Sequence, residues 1–204
     1  MLKIALTKGR VEEQFTALLA QRGFDTSPLE NKQRRLIIEV ADQFEFILAK
    51  GPDVLTYLTN GVVDLGIVGS DILMEQDAES DELLDLKTGQ CQFILASTED
   101  FDPDRPGRKV IGTKYPRVAQ RYFARRGQDV AIIKLEGSVE LAPLIGLADA
   151  IIDITETGRT LKENHLVIYD RLDQVSTRLV ANPLALKQKR DEIYCFVTTL
   201  KGGN

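Results

Sequence analysis

Hydrophobic and polar positions along the chain follow two periods. Short runs of Ile, Leu and Val bounded by polar residues are typical of buried strands, and an apolar residue at every third or fourth position is typical of an amphipathic helix. In the first half of the chain the pattern predicts strands at Leu2–Leu6, Leu36–Val40, Phe44–Leu48 and Leu65–Val68, and helices at Val11–Arg22, at Asp53–Asn60 and from about Ser70. Strands that alternate with helices in this way predict an α/β fold.

The second half of the chain continues the alternation. It predicts strands at Cys91–Ser97, Val110–Thr113, Ala131–Leu135, Ala150–Ile154, Leu166–Arg171 and Ser176–Ala181. It predicts helices at about Arg117–Arg126, at Ser138–Leu147 and at Gly158–Asn164, with a final helix from Pro183. A stretch rich in Asp, Pro and Gly, Asp100–Gly107, is the most boundary-like loop.

Two segments, Gly61–Asp71 and Gly146–Asp153, share one local pattern. Each has a glycine at a predicted helix end, then an acidic residue, then an apolar strand that leads into a polar turn. Open α/β sheets bind ligands at the edge where such strands end. The repeat predicts two α/β lobes that share a ligand-binding cleft, with residues 1–90 and about 182–204 in the first lobe and about 91–181 in the second.

Composition and charge narrow the class of protein. The chain has 204 residues, of which 43% are hydrophobic, and 26 Lys+Arg against 31 Asp+Glu give a net charge of −5. This composition is typical of a globular protein, and an acidic chain lacks the broad basic surface of a duplex nucleic-acid binder. No apolar run approaches the ~18 residues of a membrane span, and the N-terminus lacks the features of a secretory signal. We therefore expect a cytoplasmic protein that binds neither nucleic acid nor membrane.

Missing motifs exclude several enzyme classes. The chain has no G-x-x-x-x-G-K-[ST] phosphate loop and no G-x-G-x-x-G after the first predicted strand. It also lacks the G-x-S-x-G turn of serine hydrolases, and its single histidine, His165, has no partner at a readable spacing. Cys91 and Cys195 are far apart and lie outside any C-x-x-C spacing, which supports neither a disulfide framework nor a zinc site. An anionic ligand would have to be held by local groups.

The strongest chemical signal is the 153–161 segment, which follows an apolar strand and opens a helix. Residues 157–160 offer consecutive backbone N–H groups and two hydroxyls, and a phosphate is favoured at such a helix start. Asp153 and Glu156 can accept hydrogen bonds from ribose hydroxyls or hold Mg²⁺ through water. These groups suit a phosphorylated sugar. The segment reads Asp153, Ile154, Thr155, Glu156, Thr157, Gly158, Arg159, Thr160 and Leu161.

A simpler interpretation of the 153–161 segment stays open. Thr155 or Thr157 could serve only as a helix N-cap, and Glu156 could be an ordinary surface acid. The position of the segment at the end of a buried strand favours the binding interpretation, because ligands of open α/β sheets lie at that edge.

Three further turns follow predicted strands and carry charge. The Thr7–Arg10 turn places two cations around a glycine, where they could clamp a di- or triphosphate or be ordinary surface residues. In the Gly112–Arg117 turn Tyr115 could stack on a base, while the neighbouring cations could meet phosphate or hold the lobe interface. In the third turn Ser138 is a predicted N-cap that could bind a second phosphate, and Glu136 could lie near the sugar or the metal.

Together these residues resemble the ATP phosphoribosyltransferase family in its short form, nearly from end to end. The stretch from Glu140 to Leu161 is similar to the family's signature, and Ala5–Arg10, Asp64–Asp71 and Thr113–Pro116 match its other landmarks. The resemblance implies a two-lobed fold similar to type II periplasmic binding proteins, with substrates in the cleft between the lobes. It also implies that ATP reacts through N1 with C1 of phosphoribosyl pyrophosphate (PRPP), releasing pyrophosphate.

The resemblance further assigns roles to residues. It implies catalytic roles for Lys8, Arg10 and Asp153, and Mg²⁺ bound through the substrate phosphates without a dedicated protein cage. The implied PRPP-binding residues are Glu136, Ser138, Asp153, Thr155, Glu156, Thr157, Gly158, Arg159 and Thr160. The implied ATP-binding residues are Lys8, Gly9, Arg10, Arg34 or Arg35, Lys50, Asp71 and Tyr115. At Lys50 the family often has Arg, so the charge is kept here without the bidentate fork.

The resemblance also concerns partners. Short-form members work with a separate regulatory subunit that resembles a histidyl-tRNA synthetase, whereas long-form members continue into a C-terminal regulatory domain. We therefore expect a homodimer within a hetero-oligomer. Two alternatives stay open: a cytosolic two-lobed sensor of a phosphorylated ligand without catalysis, and a phosphoribosyltransferase for a different base.

Overall fold

The computed structural model describes residues 1–202, apart from the side chain of Ser80. The strands are β1 Leu2–Thr7, β2 Ile37–Val40, β3 Phe44–Ala49, β4 Leu65–Gly69, β5 Glu82–Asp85, β6 Cys91–Ser97, β7 Lys109–Thr113, β8 Val130–Lys134, β9 Ala150–Thr155, β10 Val167–Val175 and β11 Thr177–Ala181. The α-helices are α1 Arg10–Gln21, α2 Ser27–Glu30, α3 Gly51–Thr59, α4 Ser70–Gln76, α5 Pro116–Arg125, α6 Leu141–Leu144, α7 Arg159–Glu163, α8 Pro183–Gln188 and α9 Arg190–Lys201.

The chain forms two compact units, each built around its own sheet. Unit 1 contains Met1–Leu73, Asp77–Gly89 and the chain from Ser176 onward, and unit 2 contains Met74–Gln76 and Gln90–Val175. The sequence predicted that the chain returns to the first lobe at about residue 182, whereas in the structure it returns to unit 1 at Ser176. The physical reason is that β11 pairs with β4 of unit 1 along its whole length.

The sheet of unit 1 has the strand order β2-β3-β1-β4-β11-β5. The central strand β1 runs parallel to β3 and β4, so these three strands end at the same edge of the sheet. Their apolar side chains are fully buried, as at Ile4 and Ile67. Phe15 of α1 packs on Phe46 of β3 with ring centroids 6.0 Å apart, which fixes the helix on one face of the sheet.

The sheet of unit 2 has the strand order β10-β6-β9-β7-β8. Strand β7 runs parallel to β8 and β9, so these three strands also end at one edge. Strand β6 is antiparallel to β9 and to β10, and the chain enters this unit at Gln90 and leaves it at Val175, both at that same edge. Ile94 and Ile151 form a buried cluster with Leu161 of α7, which holds the short helix against the sheet.

Most predicted strands are confirmed to within one or two residues. The main difference lies at the predicted helix Ser138–Leu147, which is only the single turn α6. The N–H groups of Leu141 and Ala142 bond to carbonyls three residues back rather than four, and Pro143 has no N–H to continue a ladder. Ser138 is therefore not the helix N-cap, which is Glu140.

Three other features of the organisation differ from the expectation. The loop Asp100–Gly107 lies inside unit 2 and is not a boundary. The strand β5 and the one-turn helix α2 were not predicted, because four residues are too few to show a period. Strand β10 extends to Val175, four residues beyond its predicted end.

Candidate functional site

The 153–161 segment forms the end of β9, a tight loop and the start of α7. Gly158 has φ 74°, a left-handed conformation that favours glycine, and a Cβ added there would meet no atom within 4 Å. Its N–H donates to the Thr155 hydroxyl oxygen at 3.0 Å, and the Arg159 N–H donates to the Thr157 hydroxyl oxygen at 3.4 Å. Two of the four backbone N–H groups predicted to bind phosphate thus already donate to loop hydroxyls, which a bound phosphate would have to replace.

Asp153 lies on β9, two residues before the strand ends at Thr155. One of its carboxylate oxygens accepts a hydrogen bond from the Ile154 N–H at 2.8 Å, which restricts the side-chain orientation. Asp153 and Thr155 lie on the same face of β9, because alternate residues of a strand point to the same side. The structure therefore brings a carboxylate and a hydroxyl together next to the loop.

A cavity of about 320 Å³ lies against this loop. The strand end and the loop form one wall, and α7 and β10 supply the rest. The lining residues are Thr155, Glu156, Thr157, Gly158, Leu161, Lys162, Leu166, Ile168 and Arg171. Lys162 and Arg171 are cations that the sequence interpretation did not single out.

The turn after β7 holds Tyr115 differently from the expectation. The Thr113 hydroxyl donates to the Ile152 carbonyl at 2.6 Å and accepts from the Tyr115 N–H at 2.9 Å, which fixes the turn. The Tyr115 ring is only 3% exposed and packs edge-on against Phe93, with centroids 5.0 Å apart. The ring is therefore not presented for base stacking, and its contact with the nucleotide stays a prediction.

Glu75 is a functional candidate that sequence reasoning missed. Its carboxylate accepts hydrogen bonds from the Arg117 N–H at 3.0 and 3.2 Å and from the Val118 N–H at 3.2 Å. It thus caps the N-terminus of α5, directly after the Lys114 and Tyr115 turn. No local signal could have found this contact, since Glu75 and Arg117 are 42 positions apart in the sequence.

The turn after β8 contains an exposed ion pair. The Lys134 ammonium lies 2.7 Å from the Glu136 carboxylate. The hydrogen bond and charge of Lys134 hold the pKa of Glu136 below its usual value, and Glu136 in turn raises the pKa of Lys134. Because Thr113 and Lys134 are register partners, this pair lies at the same strand-end edge as the Lys114 turn. The PRPP contacts of Glu136 and Ser138 stay predictions.

In unit 1 the predicted nucleotide-binding residues share one edge of the sheet. Thr7 and Ala49 are register partners, so Lys8 and Lys50 follow adjacent strand ends. The Lys8 N–H donates to the Ala49 carbonyl at 2.9 Å, which holds the two turns together. Both lysines are exposed. Helices α1, α3 and α4 begin directly after these strand ends, and the positive ends of their dipoles favour anions there.

The turn into α1 is shaped by Gly9, which has φ 84°. Its N–H donates to the Glu12 carboxylate at 3.4 Å, and that carboxylate also pairs with Lys32. This carboxylate therefore occupies one donor of the turn, while Arg10 begins the helix as an exposed residue.

The remaining predicted residues of unit 1 lie at the same edge. Leu36, just before β2, accepts a hydrogen bond from the Leu48 N–H at 2.8 Å, so Arg34 and Arg35 lie near the end of β3. The Arg35 guanidinium donates to backbone carbonyls at 3.3 and 3.4 Å. Asp71 turns back over Gly69, where an added Cβ would lie 2.1 Å from its carboxylate oxygen. Which arginine contacts a nucleotide stays a prediction.

A larger cavity in unit 1, of about 420 Å³, contains none of the predicted site residues. It lies near the N-terminal ends of β1 and β3, at the edge opposite to Lys8 and Lys50. Its lining residues are Met1, Leu2, Phe24, Asp42, Gln43, Phe44, Glu192, Cys195, Phe196 and Thr199.

Metal-ligating clusters and membrane-spanning helices are both absent from residues 1–202. In this part of the chain, no group of three or more His, Cys, Asp or Glu side chains is arranged to hold a metal ion. No described helix is both long enough and apolar enough to cross a membrane. The cytoplasmic location stays a prediction.

Comparisons with known proteins give the family. Residues 50–202 match the sequence model of ATP phosphoribosyltransferase. The ATP phosphoribosyltransferase of Lactiplantibacillus plantarum is 66% identical over 200 residues, which cover 98% of this chain and 92% of the relative. The enzyme of the same name from Listeria innocua is 54% identical over 201 residues, covering 98% of this chain and 94% of the relative.

Solved structures agree with the sequence relatives. The ATP phosphoribosyl transferase (HisG:HisZ) complex from Thermotoga maritima contains a chain that is 38% identical, with a TM-score of 0.84 and coverage of 99% of this chain and 98% of that chain. The periplasmic aliphatic sulphonate binding protein SsuA from Escherichia coli is 14% identical, with a TM-score of 0.60 over 98% of this chain and 70% of that chain. The predicted α/β fold of the type II periplasmic-binding-protein kind is confirmed, and the chain belongs to the ATP phosphoribosyltransferase family.

Proposed function

We propose that the protein transfers the 5-phosphoribosyl group of PRPP to N1 of ATP, giving 1-(5-phosphoribosyl)-ATP and pyrophosphate in the first step of histidine biosynthesis. The observation that carries this proposal is the 153–161 segment, whose acids, hydroxyls and backbone N–H groups lie at a strand end beside a cavity. Membership of the family supports the choice of ATP as the second substrate.

The chemistry of this transfer requires charge stabilisation rather than proton removal. The bond between C1 and the pyrophosphate oxygen breaks, the bond between C1 and adenine N1 forms, and positive charge develops on the sugar. Adenine N1 attacks with its own lone pair, so no general base is needed at the nucleophile. Positioning and electrostatic stabilisation then supply most of the rate acceleration.

In the proposed mechanism Asp153 places negative charge near the developing cation at C1. Its orientation is restricted by the hydrogen bond from the Ile154 N–H at 2.8 Å, so little reorganisation is needed during the reaction. The hydroxyls of Thr155 and Thr157 and the backbone of the loop hold the phosphate end of PRPP. Glu156 accepts hydrogen bonds from ribose hydroxyls.

Charge must also be neutralised on the departing pyrophosphate. Lys8 and Arg10 are the proposed cations, the first as a point charge and the second as a bidentate fork. Bound Mg²⁺ would add charge neutralisation on the pyrophosphate, with Asp153 and Glu156 as the oxygen donors of the 153–161 segment that fit a hydrated Mg²⁺. The metal is proposed to enter through the substrate phosphates.

A regulatory partner is part of the proposal. The Thermotoga maritima structure is a HisG:HisZ complex, and its ATP phosphoribosyl transferase fold matches nearly all of this chain. We therefore propose that this chain forms homodimers that bind a separate regulatory subunit resembling a histidyl-tRNA synthetase, and that feedback control by histidine depends mostly on that subunit.

The first test measures pyrophosphate release by the purified chain with ATP, PRPP and Mg²⁺. Each component is omitted in turn, GTP replaces ATP in one arm, and the synthetase-like subunit is added in another. Release that needs both substrates, together with a phosphoribosylated adenine nucleotide in the product, is the expected result.

Release with another base would support a phosphoribosyltransferase of different specificity. A folded protein that binds PRPP without release in any arm would favour a sensor without catalysis, since the fold alone does not decide the function.

A further inference from the structure

The 153–161 segment has a shortage of positive charge for a phosphate ligand. A phosphate monoester carries about −1.5 to −2 charge at neutral pH. The segment itself has two acids and a single cation, Arg159. That guanidinium lies 2.7 Å from the Glu163 carboxylate, and Arg159 is not among the lining residues of the 320 Å³ cavity. Two cations outside the segment, Lys162 and Arg171, line this cavity.

Arg171 of β10 lines the same cavity and is held in a defined place. Its guanidinium donates to the side-chain oxygen of Gln92 at 3.3 Å, and the Gln92 amide donates in turn to the Leu172 carbonyl at 3.0 Å. Gln92 is the register partner of Thr155, the last residue of β9. Through Gln92, the Arg171 guanidinium is thus directed toward the strand end from which the loop begins.

Strand geometry supports the same placement. Arg171 is the register partner of Ile94, and Ile94 is the register partner of Asp153. Gln92 and Ile94 lie on the same face of β6, since they are two residues apart. The contact with Gln92 uses one of the five N–H donors of the guanidinium. An arginine here can bind a phosphate with two parallel hydrogen bonds, which a lysine cannot do.

We infer that Arg171 is a substrate-binding residue that neutralises the 5-phosphate of PRPP, with Lys162 of α7 supplying a second positive charge at the same cavity. This inference rests on the proposed function for the identity of the ligand. It extends that function by adding a cation from a neighbouring strand to a segment that carries mostly acids and hydroxyls. Both cations are exposed, so their substitution leaves the core of unit 2 intact.

Ligand binding tests the inference without any turnover. Ribose 5-phosphate and inorganic pyrophosphate are titrated separately into the full chain and into the Arg171→Gln variant by calorimetry. We expect the variant to bind ribose 5-phosphate about tenfold more weakly, because it loses charge-assisted hydrogen bonds, while its affinity for pyrophosphate does not change. Arg171→Lys should recover part of the affinity, since it keeps the charge but not the fork.

Kinetics and a matched control complete the test. The exposed Arg125 of α5 lies in the same unit and outside the cavity lining, so Arg125→Gln should behave as the unchanged protein in every arm. Arg171→Gln should raise the KM for PRPP about tenfold and leave the KM for ATP unaltered.

Equal affinity of Arg171→Gln and the unsubstituted protein for ribose 5-phosphate would overturn the inference. An equal loss of affinity for ribose 5-phosphate and for pyrophosphate would also overturn it. If no phosphoribosyl-ATP forms at all, the proposed function fails, while the calorimetry still decides the role of Arg171.

Discussion

The two units present strand ends and helix starts at one edge of a sheet, but they place different charges there. In unit 1 the turns after β1 and β3 carry Lys8 and Lys50, and α1 begins with Arg10. In unit 2 the 153–161 segment supplies acids and hydroxyls, and the cation Arg171 lines its cavity from another strand. The edge of unit 1 therefore presents three exposed cations, with the acids Glu12 and Asp71 close to the turns, whereas the 153–161 segment of unit 2 supplies mostly acids and hydroxyls.

This difference shows how one α/β pattern can serve two kinds of phosphorylated substrate. A run of cations suits the triphosphate of ATP, which presents acceptor oxygens and negative charge only. A sugar phosphate needs donors for its phosphate, acceptors for its hydroxyls and negative charge beside the cation that forms at C1. Under the proposed function, a change at Lys50 in unit 1 should alter the use of ATP, and changes in unit 2 should alter the use of PRPP. Lys8 and Arg10 of unit 1 are also proposed to act on the pyrophosphate of PRPP, so they do not separate the two substrates.

The largest expected effect is that of Asp153→Asn in unit 2. The amide keeps the size of the side chain but removes the charge that is proposed to stabilise the cationic sugar. We expect kcat to fall tenfold or more, which corresponds to about 1.4 kcal/mol or more of transition-state stabilisation. Steady-state kinetics with varied PRPP measure this, and Asp104→Asn in the exposed loop of the same unit is the control. A folded Asp153→Asn enzyme with unchanged kcat would remove this residue from the mechanism.

Gly158→Ala tests the shape of the loop rather than its charge. The left-handed φ of 74° costs a side-chain-bearing residue roughly 1–2 kcal/mol, so the loop should shift. We expect the KM for PRPP to rise about tenfold and the KM for ATP to stay the same.

Gly127→Ala is a matched control for that change. Gly127 has φ 64°, and no atom lies within 4 Å of an added Cβ, so the substitution brings similar strain at the end of α5. The two variants should lose similar stability in thermal unfolding, but only Gly158→Ala should lose affinity for PRPP. An equal rise of the KM for PRPP in both variants would mean that the effect is general destabilisation.

Lys50→Ala tests the basic edge of unit 1. The backbone carbonyl of Lys50 accepts hydrogen bonds from Asp53 and Val54 at 3.0 and 3.2 Å, and these contacts survive the loss of the side chain. Removing the exposed charge should cost about 1 kcal/mol of ATP binding, which raises the KM for ATP about fivefold without a change for PRPP. Lys3→Ala, on the neighbouring strand, removes only a surface ion pair with Glu45 and is the control. A rise in the KM for PRPP instead would break the assignment of the two edges.

The smallest expected effect concerns the pair Lys134 and Glu136. Since the Lys134 hydrogen bond and charge lower the pKa of Glu136, the change Lys134→Met should raise that pKa toward its ordinary value of 4.5. The contribution of the pair to stability is present above the ordinary glutamate pKa and is lost as the pH falls through the lowered value. An NMR titration of the Glu136 carboxyl group measures the shift. About 1 M salt should produce a similar change in the unsubstituted protein, because it screens exposed charges.

Much of the architecture was predictable from the sequence, and so was the most informative part of the candidate site. The buried strand Ala150–Thr155 and the polar residues after it form a local pattern, so the loop could be placed without a structure, whereas the left-handed conformation of Gly158 was seen only in the structure. Strand ends at one edge also follow from the parallel α/β pattern. For that reason Lys8 was expected at an edge. Lys50 was named only through the family resemblance, and the register of β1 with β3 shows that it lies next to Lys8.

Other parts of the site could not be predicted for physical reasons. Glu75 caps a helix that begins 41 positions later, at Pro116, and Gln92 holds Arg171 across two strands. The Tyr115 ring was interpreted as a candidate for stacking on a base, yet it is buried and packs against Phe93. Hydrophobic patterning shows that a residue can be buried, but it does not show which partner will cover it.

The sequence by itself determined the kinds of element, the α/β alternation and the chemistry of the 153–161 segment, because these depend on side chains within a few positions of each other. Only the tertiary structure decided that the chain returns to unit 1 at Ser176, where β11 pairs with β4, and that Arg171 lines the cavity of the loop. Local periodicity specifies that a strand has a buried face. The identity of its neighbour depends on contacts between distant residues, which form only when the whole sheet assembles.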